Sequence, residues 1–443
     1  MEFTIKREPF LKELALLQDV ASRKHDNNPI RACVKIEARE SELLLDATDA
    51  DVSMGCICNA SDGLSVEETG VAVVDAKRLR SYIGGMESTE VVCTTDEQEW
   101  LSIWYPDRRD GKPLYRMPGF PTKDFPTVPE PPDAESENGW KSSSLPAPVF
   151  ANMETRAQYA ISGDRGSMTI HGALLEFAED AARMVATDGN KLVVAAYKSS
   201  AVKPWDVMIP RRALAAIAAM CRSLPLGGSV EITRGPNHVF AYAGGRMVAS
   251  TMLAAQFPPW RNIMQKGVRA VKFAALDTKR FKACASRAAA VLDDKGLGGL
   301  KLQFTTSNIL RFNAQSSLFG EADEWMDIGY KLDEKAAENM ADKDLIVRLG
   351  HAYLLDFLGT CQSEVIKITG SDASSPVKLI DGDLEADGFQ VECVIMTINE
   401  AVAAQAAEIA QNEKKEKAEK KSGRKEPAAP VEAAPEKTRR RKK

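Results

Sequence analysis

Four aspartates come closest, by type and spacing, to a catalytic set. Asp46, Asp49 and Asp51 crowd one polar turn within Leu43–Ile57 (LLLDATDADVSMGCI), and Asp188 occupies the matching turn of Ala182–Tyr197 (ARMVATDGNKLVVAAY). Carboxylates that converge within a few ångströms could hold divalent cations against the attacking and leaving oxygens of a phosphodiester. That chemistry would make the protein a metal-dependent DNA nuclease or phosphodiesterase working through Asp49, Asp51 and Asp188. Aspartate also closes turns by bonding its own backbone, and the recurrence of Ala-Thr-Asp at matching places favours that structural role.

Other chemistries find little support. The four histidines (His25, His171, His238 and His351) lie far apart, with no HxxxH or HExxH spacing. No GxxxxGK[ST], no GxGxxG after a strand pattern and no GxSxG occurs, so the nucleotide-hydrolysis and serine-hydrolase templates fail. Cys56 and Cys58 stand too close together for the usual zinc knuckle. Strand alternation puts both on one face, which reads as structural. The eight cysteines are scattered through 443 residues, as expected of reduced, mostly buried thiols in a cytosol. No secretory h-region opens the chain and no apolar run reaches 18 residues, so neither export nor a membrane span is expected. A cytoplasmic protein is the expectation.

The elements that would position these residues recur three times in one order. An amphipathic helix pattern appears at Pro9–Lys24, Pro148–Ser162 and Thr278–Asp293, with apolar residues three and four apart, such as Phe10, Leu14 and Leu17. A strand pair with a polar turn comes next, at Leu43–Ile57, Ala182–Tyr197 and Ile309–Tyr330. Asp188-Gly189 between apolar alternations is a hairpin signal, because glycine takes positive φ freely. A strand running into a second helix closes each set, at Val71–Met86, Asp206–Met220 and Leu345–Thr360. Val73, Met208 and Val347 stand 135 and 139 residues apart, so one unit is the size of a domain. The units run over 1–130, 146–266 and 267–400, each an α+β domain of two helices and antiparallel strands. A Pro-rich linker is expected over about 106–145, since Pro106–Pro132 holds eight of the chain's 22 prolines.

Charge divides the chain. Residues 401–443 carry 13 Lys/Arg against 7 Asp/Glu, and residues 1–400 carry 45 against 56. An acidic body at −11 would not coat itself with DNA by charge alone. The Lys/Glu/Ala/Pro-rich tail has almost no large apolar residue after Ile409 and is expected to be disordered. Its basic end, Lys437–Lys443, could touch DNA or a partner, or could simply keep the chain in solution.

Taken in order, several segments resemble the bacterial beta sliding clamps, the beta subunits of DNA polymerase III. They are MEFTIKREPFLKEL, LLLDATDADVSM, MPGFPTKDFPTVPE, MVATDGNKLVVAAY, VMIPRRAL, QFPPWRNIM, EADEWMDIGY and VECVIMTIN, together spanning about residues 1–399. The resemblance implies three clamp domains per chain and a head-to-tail homodimer forming a six-domain ring with helices around the hole. Such a ring encircles duplex DNA regardless of sequence and confers processivity without catalytic residue, metal or cofactor. It also implies a groove where the replicative polymerase, the clamp loader and repair proteins dock short linear peptides. Matched motif by motif, that groove falls on Ile170, Thr187, Gly189, Asn190, Lys191, Leu192, Pro258, Asn262, Ile263, Val394, Met396 and Ile398. The cations placed to face DNA are Lys12, Arg23, Lys24, Lys77, Arg78, Arg80, Arg211, Arg212, Lys279, Arg280, Lys282 and Arg287. The chain departs from the family at Asn190-Lys191 (usually His-Arg), at Trp260 and Asn262 (usually Tyr and Arg), and at Thr397–Glu400. A DNA-free peptide-docking scaffold of the same fold is a further reading.

Incubation with DNA and Mg²⁺ or Mn²⁺ separates clamp from nuclease. No hydrolysis is expected; robust cleavage that Asp188→Ala abolishes would overturn the clamp reading.

Overall fold

The computed structural model describes residues 1–21, 28–106, 112–130, 140–164, 166, 169–200, 203–266, 272–292, 299–305, 307–316, 319–328, 344–370 and 373–399. The 401–443 tail, Arg23, Lys24 and part of the Pro-rich stretch lie outside these residues.

Six helices of the described chain form one row. They are α1 (Arg7–Val20), α2 (Ala76–Gly84), α3 (Ala147–Ala157), α4 (Arg211–Arg222), α6 (Thr278–Ala289) and α7 (His351–Thr360), with the short α5 (Trp260–Lys266) set apart. Neighbours in the row run α2, α1, α4, α3, α7, α6. Each unit thus contributes a pair, and the pairs touch through α1 with α4 and α3 with α7. The apolar spacing predicted the buried faces well: Phe10, Leu14 and Leu17 of α1, and Phe281, Cys284, Ala285 and Ala288 of α6, are all buried. The helix ends differ from expectation. The first stops at Val20, where Ala21 turns extended (ψ 144°), and the second tightens into a 3₁₀ turn at Gln158–Ala160. Propensity does not mark such ends. Asp75 and Asp277 cap α2 and α6, accepting from the backbone N–H of Arg78 and Arg280 at 2.7 Å, which leaves the following Lys and Arg on the exposed first turn.

Among the described residues, all strands pair antiparallel in four sheets. Two of them have eight strands and cross from one unit to the next. In one, strand Val52–Cys58 of the first unit lies beside Arg246–Thr251 of the second. In the other, Lys191–Lys198 of the second unit lies beside Phe389–Ile395 of the third. The two remaining sheets belong to the ends: five strands ordered 65–68, 2–6, 90–95, 101–104, 115–117 in the first unit, and four ordered 320–327, 309–316, 300–304, 345–349 in the third. The Pro-rich stretch is therefore not all linker. Tyr115–Met117 forms an edge strand on Leu101–Trp104, and the Phe120 N–H donates to the Val73 carbonyl at 2.8 Å. An edge is where proline-rich chain can join a sheet, since its missing donors face away from the ladder.

A buried arginine–carboxylate pair backs each seam. Arg246 donates from Nε to Glu13 Oε2 at 2.6 Å across the first seam. Arg156 of α3 pairs with Asp381 across the second, and both are almost wholly buried. Burial pushes the Asp381 carboxyl up, yet hydrogen bonds from Arg156, the Ser363 side chain and the Gln362 backbone, with the Arg156 charge, more than offset it and hold its pKa below the ordinary value.

Removing one partner of such a pair leaves a buried charge, so Asp381→Asn should cost about 3–5 kcal/mol at neutral pH. A depressed native pKa stabilises fully above the unfolded value of about 3.9 and less as pH falls through the native one. The gap between wild type and Asp381→Asn in urea unfolding should accordingly shrink below about pH 4. A gap of equal size at pH 7 and pH 3 would contradict the assignment.

Candidate functional site

The recurring Ala-Thr-Asp turns come out nearly superimposable in their bonding. Asp49 Oδ1 accepts from the N–H of Asp51 at 3.0 Å and of Val52 at 2.8 Å, while Thr48 Oγ1 accepts from Ala50 at 3.1 Å. Asp188 Oδ1 accepts from Asn190 and Lys191, both at 2.9 Å, and Thr187 Oγ1 accepts from Gly189 at 3.1 Å. Both turns need positive φ at the next residue, +91° at Gly189 and +81° at Ala50. These aspartates therefore close turns, and each has a cation on its other oxygen: Asp49 pairs with Arg212 of α4, and Asp188 with Lys191 at 3.5 Å. Among the described residues, no group of three or more His, Cys, Asp or Glu side chains is placed to hold a metal ion. Cys56 and Cys58 both point into the core, where burial raises their thiols, Cys58 to about 12.

The second seam builds an apolar floor. Leu192 faces Val394 in register across the strand pair, and both are buried. Leu174, Val185, Met208, Trp260 and Met264 join them in one cluster, flanked by Leu253, Phe257 and Ile263. Of the residues expected in the groove, this cluster unites Leu192, Ile263 and Val394. Thr187, Gly189, Asn190 and Lys191 form the turn at its edge, where the Met396 N–H donates to the Asn190 carbonyl at 2.9 Å. Met396 itself is 45% exposed, an apolar side chain left in the open. Pro258 lines a cavity of about 350 Å³ beside the floor, shared with Leu174, Met208, Phe257 and Trp260. Ile170 precedes strand Gly172–Phe177, Asn262 is exposed on α5, and Ile398 runs along strand Leu345–Leu349, donating its N–H to the Arg348 carbonyl at 2.8 Å; none of these three joins the cluster. Sequence reasoning missed Leu174, Val185, Met208, Leu253, Phe257 and Met264. Their signal, a continuous apolar strand and a short Pro-bounded helix, looks like ordinary core.

Lys191 binds the seam. Its side chain is only 5% exposed; Nζ lies 3.1 Å from Asp356 on α7 and 4.4 Å from the Tyr353 ring centroid, with Tyr159 also in reach. It points inward, so it adds no loose cation to the rim. Arg261, 53% exposed, stacks on Trp260 and donates to Glu176 at 2.7 Å.

The cations expected on the helix faces are placed unevenly. Lys12, Arg211, Lys279 and Lys282 are exposed on α1, α4 and α6. Arg80 donates to Gln18 at 3.1 Å, and Arg212 donates to the Val20 carbonyl at 3.0 Å. Lys77 and Arg78 line a cleft of about 620 Å³ with Tyr82, Tyr105 and Tyr115 at one end of the row. At the other end, Arg280 lies 3.4 Å from Asp327 and Arg287 donates to Glu324 at 2.7 Å, both onto the edge strand Gly320–Asp327. No helix among the described residues is long and apolar enough to cross a membrane.

Residues 1–129 match the DNA polymerase III beta subunit, N-terminal domain, and residues 144–259 match its central domain. A beta sliding clamp from Pseudomonas putida is 25% identical over 395 residues, covering 88% of this chain and 99% of its own. The beta sliding clamp of Escherichia coli K12 is 22% identical with the same coverage. The solved DNA polymerase III subunit beta of Pseudomonas aeruginosa superposes with a TM-score of 0.76 at 23% identity, over 90% of this chain and 100% of that one. A Pseudomonas aeruginosa sliding clamp bound to griselimycin gives 0.76 at 24%, over 90% and 99%.

Lys191→Met keeps the aliphatic stem but removes the charge from between Asp188 and Asp356. A lost hydrogen bond to a charged group should lower stability by about 1.5–3 kcal/mol. Urea unfolding reads it, and an unchanged midpoint would show that the pair does not hold the seam.

Proposed function

The chain belongs to the DNA polymerase III beta subunit family, the non-catalytic sliding clamps of DNA replication, and from that premise we propose that two copies close head to tail around duplex DNA. The observation that carries this is a seam used twice and left open a third time. In both seams the third strand of one unit's sheet (52–58, then 191–198) pairs with the fourth strand of the next unit's other sheet (246–251, then 389–395). The corresponding strands at the chain's two ends are Gly320–Asp327 and Tyr115–Met117, and both are sheet edges. Long bare edges are hazards unless something covers them. Phe319 and Trp325 stand 61% and 56% exposed on one edge, and Leu114 is exposed beside the other. Charge complements in part as well: Glu321 and Asp323 lie on the first edge and Lys112 beside the second, while Glu324, Asp327 and Arg116 already pair with Arg287, Arg280 and Asp96. An isologous contact would pair each edge with itself, whereas this one is heterologous and closes after two copies.

On this reading Lys12, Arg211 and the exposed cations of the row face DNA, while Lys77, Arg78, Arg280 and Arg287 serve the joint between copies. Phosphate contacts alone bind DNA weakly and lose strength with salt. A closed ring needs no grip; it stays because it encircles, and it slides because it holds no base. The apolar floor at the second seam would take short peptides from the replicative polymerase, the clamp loader and repair proteins in the cytoplasm, and would take griselimycin. A methionine such as Met396 adapts to differing side chains at little cost.

Retention on nicked circular plasmid against the same plasmid linearised after loading tests the ring. The chain should remain on circles and run off free ends within minutes. Equal retention on both would refute topological binding. Trp325→Glu should shift sedimentation from dimer to monomer and abolish retention on circles.

A further inference from the structure

A cavity of about 350 Å³ lies between strand Trp205–Pro210, the outermost of its sheet, and the chain that runs from Met252 to Arg261. The sequence opens that gap. The Leu253 N–H donates to the Met208 carbonyl at 3.3 Å, which ties the two segments at one point. Pro258 and Pro259 follow, and neither has an N–H with which to carry the pairing along the strand. The space left over is walled by Leu174, Met208, Met252 and Trp260. Its size is that of a small-molecule site, and such sites are mostly apolar with a few placed polar groups.

Here the placed groups are two guanidiniums. Arg261 lies 4.3 Å from the Trp260 ring centroid, a contact that uses the guanidinium's face and leaves its N–H edges to acceptors. Its Nη2 alone serves Glu176, reaching the two carboxylate oxygens at 2.8 and 2.7 Å. Arg234 spends only Nη1, on the Asp206 carbonyl at 2.5 Å and the Asp206 carboxylate at 3.4 Å. The other N–H groups of these two arginines meet no acceptor among the described residues, although a guanidinium carries five donors in a fork that suits a carboxylate. The two acids on the wall compete little for them. Glu176 already has Arg183 as a second cation at 3.8 Å, and Asp206 is exposed to water.

We propose that this cavity binds a small apolar carboxylic acid as its anion, the carboxylate on Arg234 and Arg261 and the hydrocarbon against Met208, Met252 and Trp260. The lining selects that class. A wholly polar anion would leave the methionine wall uncovered, and a neutral hydrocarbon would use neither arginine. The site is not the peptide groove: Leu174, Met208 and Trp260 back both, but neither the Thr187–Lys191 turn nor Met396 lines this cavity. It rests neither on ring closure nor on peptide docking.

Octanoate is the probe, with octanamide as its neutral counterpart, titrated into the full chain carrying methyl-labelled methionine. Octanoate should move the Met208 and Met252 methyl NMR signals and leave Met396 in place. Octanamide should bind roughly tenfold or more weakly, the loss expected for a hydrogen bond to a charged group. Arg234→Gln and Arg261→Gln should each weaken octanoate by a similar factor, and Met396→Ala should not. Acetyl-Ala-Leu, standing for a protein's C-terminus, should bind no better than octanoate. No shift at Met208 and Met252, equal binding of acid and amide, unchanged affinity in both arginine variants, or tighter binding of the dipeptide overturns the proposal. A response at Met396 with none at Met252 overturns it as well, since the acid would then occupy the groove.

Discussion

The protein's architecture depends on one kind of joint, a strand of one unit paired to a strand of the next. Val52–Cys58 on Arg246–Thr251 and Lys191–Lys198 on Phe389–Ile395 convert separate sheets into two eight-stranded walls. Backbone ladders fix the spacing between units far more firmly than side-chain packing alone, because each strand contributes several hydrogen bonds in one register. The helix row is a consequence. With the walls sewn together, α1 must meet α4 and α3 must meet α7. The buried pairs Arg246–Glu13 and Arg156–Asp381 add direction, since a single misplaced register would strand a charge in the core.

The groove is a by-product of the same joint. Where two strands from different units run side by side, Leu192 and Val394 meet in register as a buried apolar floor under the seam. α5, with Trp260 and Met264, closes one flank, and the terminal strand's Met396 leaves the other open. The first seam carries the same turn, with Asp49 for Asp188, but there the turn carboxylate takes Arg212 of α4 directly. In the second seam Lys191 mediates, filling the space between Tyr159, Tyr353 and Asp356. A long, flexible cation that satisfies two acids and two rings leaves the surface above it free of charge.

The repeat, the helix faces and the turn-closing roles of Asp49 and Asp188 were legible because each depends on residues near in sequence. Periodicity of three and four marks Phe10, Leu14 and Leu17, and an Asx turn needs only its own next few residues. The seams were not legible. Cys56 meets Arg246 nearly two hundred residues away, and an apolar strand looks the same whether its neighbour belongs to its own unit or the next. The edge strand Tyr115–Met117 hid within a proline-rich run for a related reason: proline argues against interior strands, and this one needs only a single neighbour. The residues that motif matching supplied, such as Leu192 and Ile263, came with no hint that Val185, Leu253 and Met264 lie among them, because an apolar strand and a short helix look like any other core.

Charge is distributed according to the same joints. The body's net acidity is concentrated partly at an edge: Glu321, Asp323, Glu324 and Asp327 all lie on the outermost strand of the third unit. Two of them hold Arg280 and Arg287, so those cations of α6 are engaged at the edge and are not available to phosphates. Lys12 and Arg211 are exposed along the middle of the row. A surface that slides on DNA needs such sparse, weakly held positive charge, since dense contacts would raise affinity and salt sensitivity together and slow movement along the duplex. Strong ion pairing is thus concentrated at the third unit's edge strand, while Lys12 and Arg211 stand exposed on the helix row.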